Sequence, residues 1–400
     1  MRLDEYAKAR TPALKENKSP MSQIAAPIDD KERYSRQILF AGIGDVGQQL
    51  LARSHVAIIG CGAMGAASAS LLARAGIATL TLIDRDFVEP SNLQRQILFD
   101  EADARDGLPK AEAARRHIAR FNSNVTVHAH IADLVPGNIA ELLSNPSSGA
   151  QATAAPPVEI ILDATDNFET RYLINDFAVQ QGKPWIYAAA IGAYAATMNI
   201  LPASSLELRT SNPEPYPPTA CLACIFPKPP SGNVDTCDTA GILSTAVNLA
   251  ASIQVTEALK FLTGQPHLMR RTLLSFDLWS AAENGHIERS EIATGTSRHD
   301  CEVCAQRSFF HLAGDNRAHI TLCGRDSVQI HEHHRPVDFA AMRARLETHA
   351  DIHDLRSNDL LLRFRRGALT LTLFADGRAI VQGTTDITVA RSLYARFVGA

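Results

Sequence analysis

Apolar and polar positions along this chain fall into two alternating patterns. Val56-Ala57-Ile58-Ile59 and Leu80-Thr81-Leu82-Ile83 are short, β-branched apolar runs that read as buried strands, and strand signals recur near residues 125 and 159. Helical stretches near residues 65, 110, 137 and 170 follow them in turn. Strand and helix alternating in this way predict an α/β fold, a doubly wound, Rossmann-like, mostly parallel sheet with helices on both faces. Arg33 to Ala52 reads as helix, loop and helix. Trp185 to Ala190 and Ala195 to Leu201 read as further strands, and Asn248 to Leu262 as an amphipathic helix closed by Gly264.

After Cys304 the pattern changes to strand-like runs, Ala318 to Leu322, Leu360 to Phe364 and Leu369 to Phe374. A turn at Asp376-Gly377 and a final helix from about Asp386 complete it. The expected organisation is a disordered extension over residues 1–30, a nucleotide-binding domain over 31–308 and a small α+β domain over 309–400. The Ser-, Ala- and Pro-rich segment from Asn145 to Pro157 is expected to be a surface loop.

Composition narrows the class. The 400 residues, 46% of them apolar, suffice for one large and one smaller core. A net charge of −4 gives no electrostatic case for nucleic acid as the main partner. No segment approaches the roughly 18 uncharged apolar residues of a membrane span, and the first residues lack the apolar core of a signal peptide. A cytoplasmic location is therefore expected. Of the seven cysteines, four stand in two C-x-x-C pairs, which read as metal ligands more than as a disulfide framework.

The chemistry concentrates after the first strand. Gly60-Cys61-Gly62-Ala63-Met64-Gly65 fits G-x-G-x-x-G, and such glycines let backbone N–H groups and a helix N-terminus approach a phosphate. Asp84 ends the next strand at roughly the 20-residue distance where a carboxylate meets a ribose hydroxyl pair. This much would suit an NAD-dependent oxidoreductase, and an isolated strand-end Asp could merely cap the next loop. The loop beyond, with Asn92, Gln94, Arg95 and Gln96, sets one cation and three amides beside the nucleotide, a composition suited to polyphosphate.

Asn92-Leu93-Gln94-Arg95-Gln96, with Arg33-Tyr34-Ser35-Arg36-Gln37 upstream and Gly107-Leu108-Pro109-Lys110 downstream, resembles the ubiquitin-activating-enzyme superfamily in its bacterial ThiF/MoeB/HesA branch, from about Arg33 to Cys304. The resemblance implies an adenylyltransferase that uses ATP and Mg²⁺ to activate the C-terminal glycine of a ubiquitin-like sulfur carrier, releasing pyrophosphate. The resemblance further implies service in thiamine-thiazole, molybdopterin or a related sulfur transfer. It implies nucleotide contacts from Gly60, Gly62, Gly65, Asp84, Asn92, Arg95, Gln96, Lys110, Asp166 and Asn167. Arg95 and Lys110 would neutralise the triphosphate, and Asp166, with Asp163 as its rival, would hold Mg²⁺. Arg36 would reach the nucleotide of a second subunit, implying a homodimer. Sulfur would come from a partner such as a cysteine desulfurase.

Cys221-x-x-Cys224 and Cys301-x-x-Cys304 each offer two thiolates able to converge on one tetrahedral ion, so together they predict a closed, structural zinc (Zn²⁺) site. Cys237 lies in a polar loop at a position matching a cysteine that, in the thiamine branch, can link covalently to the carrier, though Asp235 and Asp238 beside it oppose a lowered thiol pKa. Cys61 and Cys323 read as packing residues, and Cys323 lacks the basic, hydroxyl-rich loop of a rhodanese domain. Adenylation of a tRNA base or a short peptide is the remaining alternative within the family, and a non-catalytic scaffold is disfavoured by the presence of Arg95, Lys110 and Asp166.

Overall fold

The computed structural model describes residues 29–144, 156–203, 216–229, 237–281, 287–314, 319–322, 327–330, 337–375 and 377–398. Almost all of the expected N-terminal extension, most of the Asn145–Pro157 loop, and residues Cys323 and Asp376 lie outside them. Asp29 caps the first helix by accepting the Lys31 N–H at 3.1 Å.

Five strands run parallel: β1 (His55–Ile59), β2 (Thr79–Ile83), β3 (Thr126–His130), β4 (Ile160–Asp163) and β5 (Trp185–Ile191). Three antiparallel strands extend the sheet, β6 (Tyr194–Ile200), β7 (Thr272–Ala281) and β8 (Ile287–Ala293), giving the order β3-β2-β1-β4-β5-β6-β7-β8. The helices of this part are α1 (Asp30–Arg33), α2 (Ser35–Ile38), α3 (Gly44–Leu51), α4 (Ala63–Ala75), α5 (Glu101–Asp106) and α6 (Lys110–Phe121). They continue with α7 (Ile139–Ser144), α8 (Phe168–Gln181), α9 (Leu222–Ile225), α10 (Cys237–Ala240) and α11 (Ser244–Leu262).

Side-chain alternation along the strands explains the two helical layers. Val56, Ile58, Leu80 and Leu82 point to one face, where α4, α6 and α11 cover them with Leu72, Ile118 and Val255. Ala57, Ile59 and Ile161 point to the other, under Leu143 of α7 and Ile174 and Phe177 of α8. The sheet is thus doubly wound, and the order in which strands are added reverses between the parallel neighbours β1 and β4, where their carboxyl ends open a crevice. Gln254 of α11, fully buried, closes the top of this region by donating to the Asp163 and Ile186 carbonyls at 2.8 and 2.9 Å.

A second sheet is antiparallel throughout, with strands β9 (His319–Leu322), β10 (Ser327–Ile330), β11 (His353–Ser357), β12 (Leu361–Arg366), β13 (Leu369–Phe374) and β14 (Ala379–Gln382) in the order β11-β12-β13-β14-β10-β9. Helices α12 (Phe339–Leu346) and α13 (Ile387–Phe397) accompany it; Phe364, Leu371, Leu373 and Val381 form a core with Leu393, Tyr394 and Phe397. Strands β7, β8, β10 and β11 and helices α5, α9, α10 and α12 had no counterpart in the sequence reading. Among the described residues no helix is long and apolar enough to cross a membrane.

Candidate active site

A cavity of about 290 Å³ opens at the carboxyl edge of β1, β2, β3, β4 and β5. Of the residues expected at a nucleotide site, Gly60, Gly62, Asp84, Arg95, Gln96, Lys110, Asp166 and Asn167 line it. Gly60 has φ +89°, and a Cβ there would meet the Ala164 carbonyl oxygen at 2.6 Å, so only glycine brings β1 and β4 this close. A Cβ on Gly62 would have open space, which leaves the turn's backbone bare toward the cavity. Gly62 is the N-cap of α4 and makes no side-chain cap, so the first N–H groups of that helix remain available to an anion.

Gly65 and Asn92 have other roles than the expected nucleotide contact, and neither lines the cavity. A Cβ on Gly65 would stand 1.9 Å from the Gly60 carbonyl oxygen, so this glycine allows α4 to pack against the turn. Asn92, buried, accepts the Glu89 N–H at 3.0 Å and so closes the 3₁₀ turn Pro90–Asn92 that precedes Arg95. Gln96, 2% exposed, leaves its Oε1 without a hydrogen-bond partner, a buried acceptor at the cavity wall.

Asp84 ties strand to turn. Its carboxylate accepts the Cys61 N–H at 2.5 Å and the Asp86 N–H at 2.6 Å. Burial pushes its carboxyl above the usual range, against the pull of Lys110. Lys110 begins α6, only 3% exposed, with its Nζ 3.0 Å from Asp86 Oδ2. Arg95 donates to the Ser91 carbonyl at 2.9 Å.

Asp163 and Asp166 are separated by environment. Asp163 is fully buried, accepts the Thr165 N–H and hydroxyl at 2.9 and 2.7 Å, pairs with Arg171 at 3.3 Å, and does not line the cavity. Asp166 is exposed and does line it. Asn167 is the N-cap of α8, accepting the Thr170 N–H at 2.8 Å. Four charged residues at the cavity escaped the sequence reading: Arg85, Asp86, Asp133 and Arg171. The Asp84-Arg85-Asp86 run was a usable signal; Asp133 and Arg171 belong to no local pattern. Arg36 is exposed on α2 outside the cavity, and Cys237 opens α10 on the backbone, its side chain lying outside the described residues.

The two cysteine pairs converge away from the cavity. Cys221 Sγ lies 3.8 Å from Cys224 Sγ and 3.6 Å from Cys301 Sγ, and Cys224 Sγ lies 3.4 Å from Cys304 Sγ. Four thiolates on one tetrahedral ion with Zn–S bonds of ~2.3 Å would stand ~3.8 Å apart, so the donor set fits zinc. All four lie within or against the core on the α8 face, which suits a closed, structural site.

Comparison with known proteins agrees with this geometry. The model described as "ThiF family" matches residues 34–303. The sulfur carrier protein ThiS adenylyltransferase of Bacillus subtilis (strain 168) is 40% identical over 370 residues, 92% of this chain and 99% of that one. The sulfur carrier protein adenylyltransferase of Thermus thermophilus is 33% identical over 255 residues, 64% of this chain and 86% of its own. Among solved structures, E. coli MccB with ATP aligns with a TM-score of 0.51 at 23% identity, covering 68% of this chain and 74% of that one, a likeness of fold.

Proposed function

This chain belongs to the ThiF family, and we infer that it is an ATP-dependent adenylyltransferase that activates a sulfur carrier protein. The observation that carries the reading is the meeting of Arg95, Lys110 and Asp166 around the Gly60–Gly62 turn in one cavity. An NAD enzyme needs the turn and Asp84; two cations and an exposed carboxylate beside them suit a triphosphate. Asp84 binds the ribose, the α4 N-terminus and Gly62 backbone take phosphate oxygens, and the Gln96 Oε1 acceptor adds a contact.

The carrier ends in Gly-Gly, a tail narrow enough to run along Ala188, Ala189 and Ala190 at the apolar end of the cavity. Its carboxylate attacks the α-phosphorus, the bond to the β-phosphate oxygen breaks, and pyrophosphate leaves. Lys110 and Arg95 meet the negative charge that grows on the phosphate oxygens. Asp166 is the residue that would hold Mg²⁺, which would neutralise part of the triphosphate charge. Adenylation needs no nucleophile from this chain; a thioester from Cys237 to the carrier would form only afterwards, the thiolate attacking the acyl carbon as the acyl–phosphate bond breaks and AMP leaves.

Arg36 supports a homodimer. It stands beside Leu39 and Phe40, 73% and 66% exposed, with Val46 of α3, 72% exposed, on a neighbouring helix. An apolar patch of this kind around a cation is suited to a second copy whose nucleotide Arg36 reaches. Residues 31–308 form the adenylation domain, the four cysteines hold zinc, and a separate donor such as a cysteine desulfurase supplies sulfur.

Exchange of labelled pyrophosphate into ATP tests the activity. Exchange that requires a carrier ending in Gly-Gly supports it. Carrier-independent hydride transfer to NAD, or exchange that requires tRNA, would refute it.

A further inference from the structure

The C-terminal sheet meets the large domain beside the cavity. Arg363 of β12 lays its guanidinium over the Phe87 ring, 4.5 Å from the centroid, and Phe87 is 5% exposed. Arg378 donates to the Ile131 carbonyl, and the Ile131 side chain packs among Leu361, Phe374 and Ile380. Arg356 adds a bond to the Arg105 carbonyl at 2.9 Å.

Both held segments continue into the cavity wall. Phe87 follows Asp86, whose carboxylate pairs with Lys110 and whose carbonyl accepts the Lys110 N–H at 2.8 Å. The Val88 N–H in turn reaches the Leu108 carbonyl at 2.8 Å, so residues 86–88 and 108–110 form one short ladder carrying both the Phe87 ring and Lys110. Ile131 precedes Ala132, Asp133 and Leu134, which line the cavity, and Asp133 pairs with Arg85 at 2.8 Å. Arg363 is steadied from its own sheet by Gln382, whose Oε1 accepts from it at 3.3 Å.

We propose that the C-terminal sheet positions the nucleotide site, with Arg363 as a positioning residue acting through Phe87 on Asp86 and Lys110. The proposal rests on the ATP-binding reading above. A guanidinium plate covering one face of the buried ring restrains the ladder without touching nucleotide. Its loss leaves Lys110 paired but its backbone less constrained, which weakens ATP binding and leaves the carrier's own contacts alone. Among the described residues the apolar cluster around Ile131 and the bonds of Arg356 and Arg378 to backbone carbonyls also join the two parts, so folding should not depend on Arg363.

Titration calorimetry of Mg–ATP into the full-length protein, with pyrophosphate-exchange kinetics, tests this. Arg363→Ala should raise the ATP Kd and KM about tenfold, within the roughly two- to thirtyfold range of a cation–π contact. The carrier's KM and the zinc content should stay within twofold of wild type, and Arg363→Lys, which keeps a cation over the ring, should recover most of the loss. If Arg363→Ala does not fold, Arg363→Gln serves in its place. An ATP Kd within twofold of wild type, or equal losses for ATP and carrier, would overturn the proposal. Wild-type protein that binds no ATP would instead overturn the adenylylation reading itself.

Discussion

Lys110 Nζ lies 3.0 Å from Asp86 Oδ2, the lysine side chain 3% exposed and the aspartate 22%. The pair thus sits at a cavity wall where water still reaches the carboxylate. Removing the lysine leaves an anion that water can solvate, so stability should suffer little. Catalysis should suffer much if the proposed role of Lys110 at the triphosphate holds, because the cation at the cavity wall is gone. Lys110→Ala should lower pyrophosphate exchange by about 10²–10³-fold, the loss seen when one preorganised donor is deleted. Calorimetry and exchange rates on the same preparation check both halves.

Asp166 is exposed, whereas Asp163 is buried and bonded to Thr165 and Arg171. Asp166→Asn should therefore change stability by no more than about 0.5 kcal/mol while abolishing Mg²⁺-dependent exchange. Asp163→Asn should do the reverse first, lowering the melting temperature by leaving Arg171 buried and unpaired.

Arg36→Ala and Asp166→Asn chains should each be inactive alone if Arg36 crosses to a second subunit. Mixed dimers contain one composite site with both residues intact, so activity should return to roughly half of wild type per heterodimer in a two-fold assembly. No rescue, with subunit exchange shown independently, would place Arg36 in cis.

The four sulfurs stand at separations that fit one zinc ion. Purified protein should contain about one zinc per chain. Cys301→Ser or chelation should lower metal content and melting temperature together, since binding energy here is folding energy. Elemental analysis beside thermal denaturation measures both.

His55, fully buried, bonds the Pro156 carbonyl at 2.6 Å and the Thr81 hydroxyl at 2.8 Å. Burial pulls its pKa down to about 4. The unfolded chain takes up this proton near pH 6.5 and the folded one only near 4, so stability should be full above pH 6.5 and fall as the pH drops toward 4. The loss attributable to this group is about 3 kcal/mol at most. Asp176 runs the other way, its carboxyl pushed up to about 6 by burial, so its contribution falls as the pH rises through 6. Urea unfolding of wild type and His55→Gln at pH 7 and 5 isolates the histidine; equal slopes in both proteins would refute it.

The glycine turn, Asp84, Arg95, Lys110, Asp166 and the two cysteine pairs were legible in the chain itself. The glycine turn, Asp84 and Asp166 sit within a few residues of a strand end and the cysteine pairs follow a short spacing rule, whereas Arg95 and Lys110 were read from their resemblance to family motifs; a parallel sheet delivers every strand's C-terminal loop to one edge. The core faces were legible for the same reason, since Val56/Ile58 and Ala57/Ile59 separate by alternation alone.

Other features needed the fold, because they join distant segments or depend on a neighbour's backbone. Strand β8, exposed at every position, and the polar strand β11 carry no apolar alternation; they are strands because β7 and β12 offer them hydrogen bonds. Arg171 reaches the cavity because Asp163 holds it there, and the cysteine pairs meet although 80 positions separate Cys221 from Cys301. Asn92 and Gly65 look like nucleotide contacts in the sequence, but packing assigns one to a turn and the other to a helix crossing. The contact of Arg363 with Phe87 lies between two sheets with separate cores, and local sequence carries no information about how such surfaces dock.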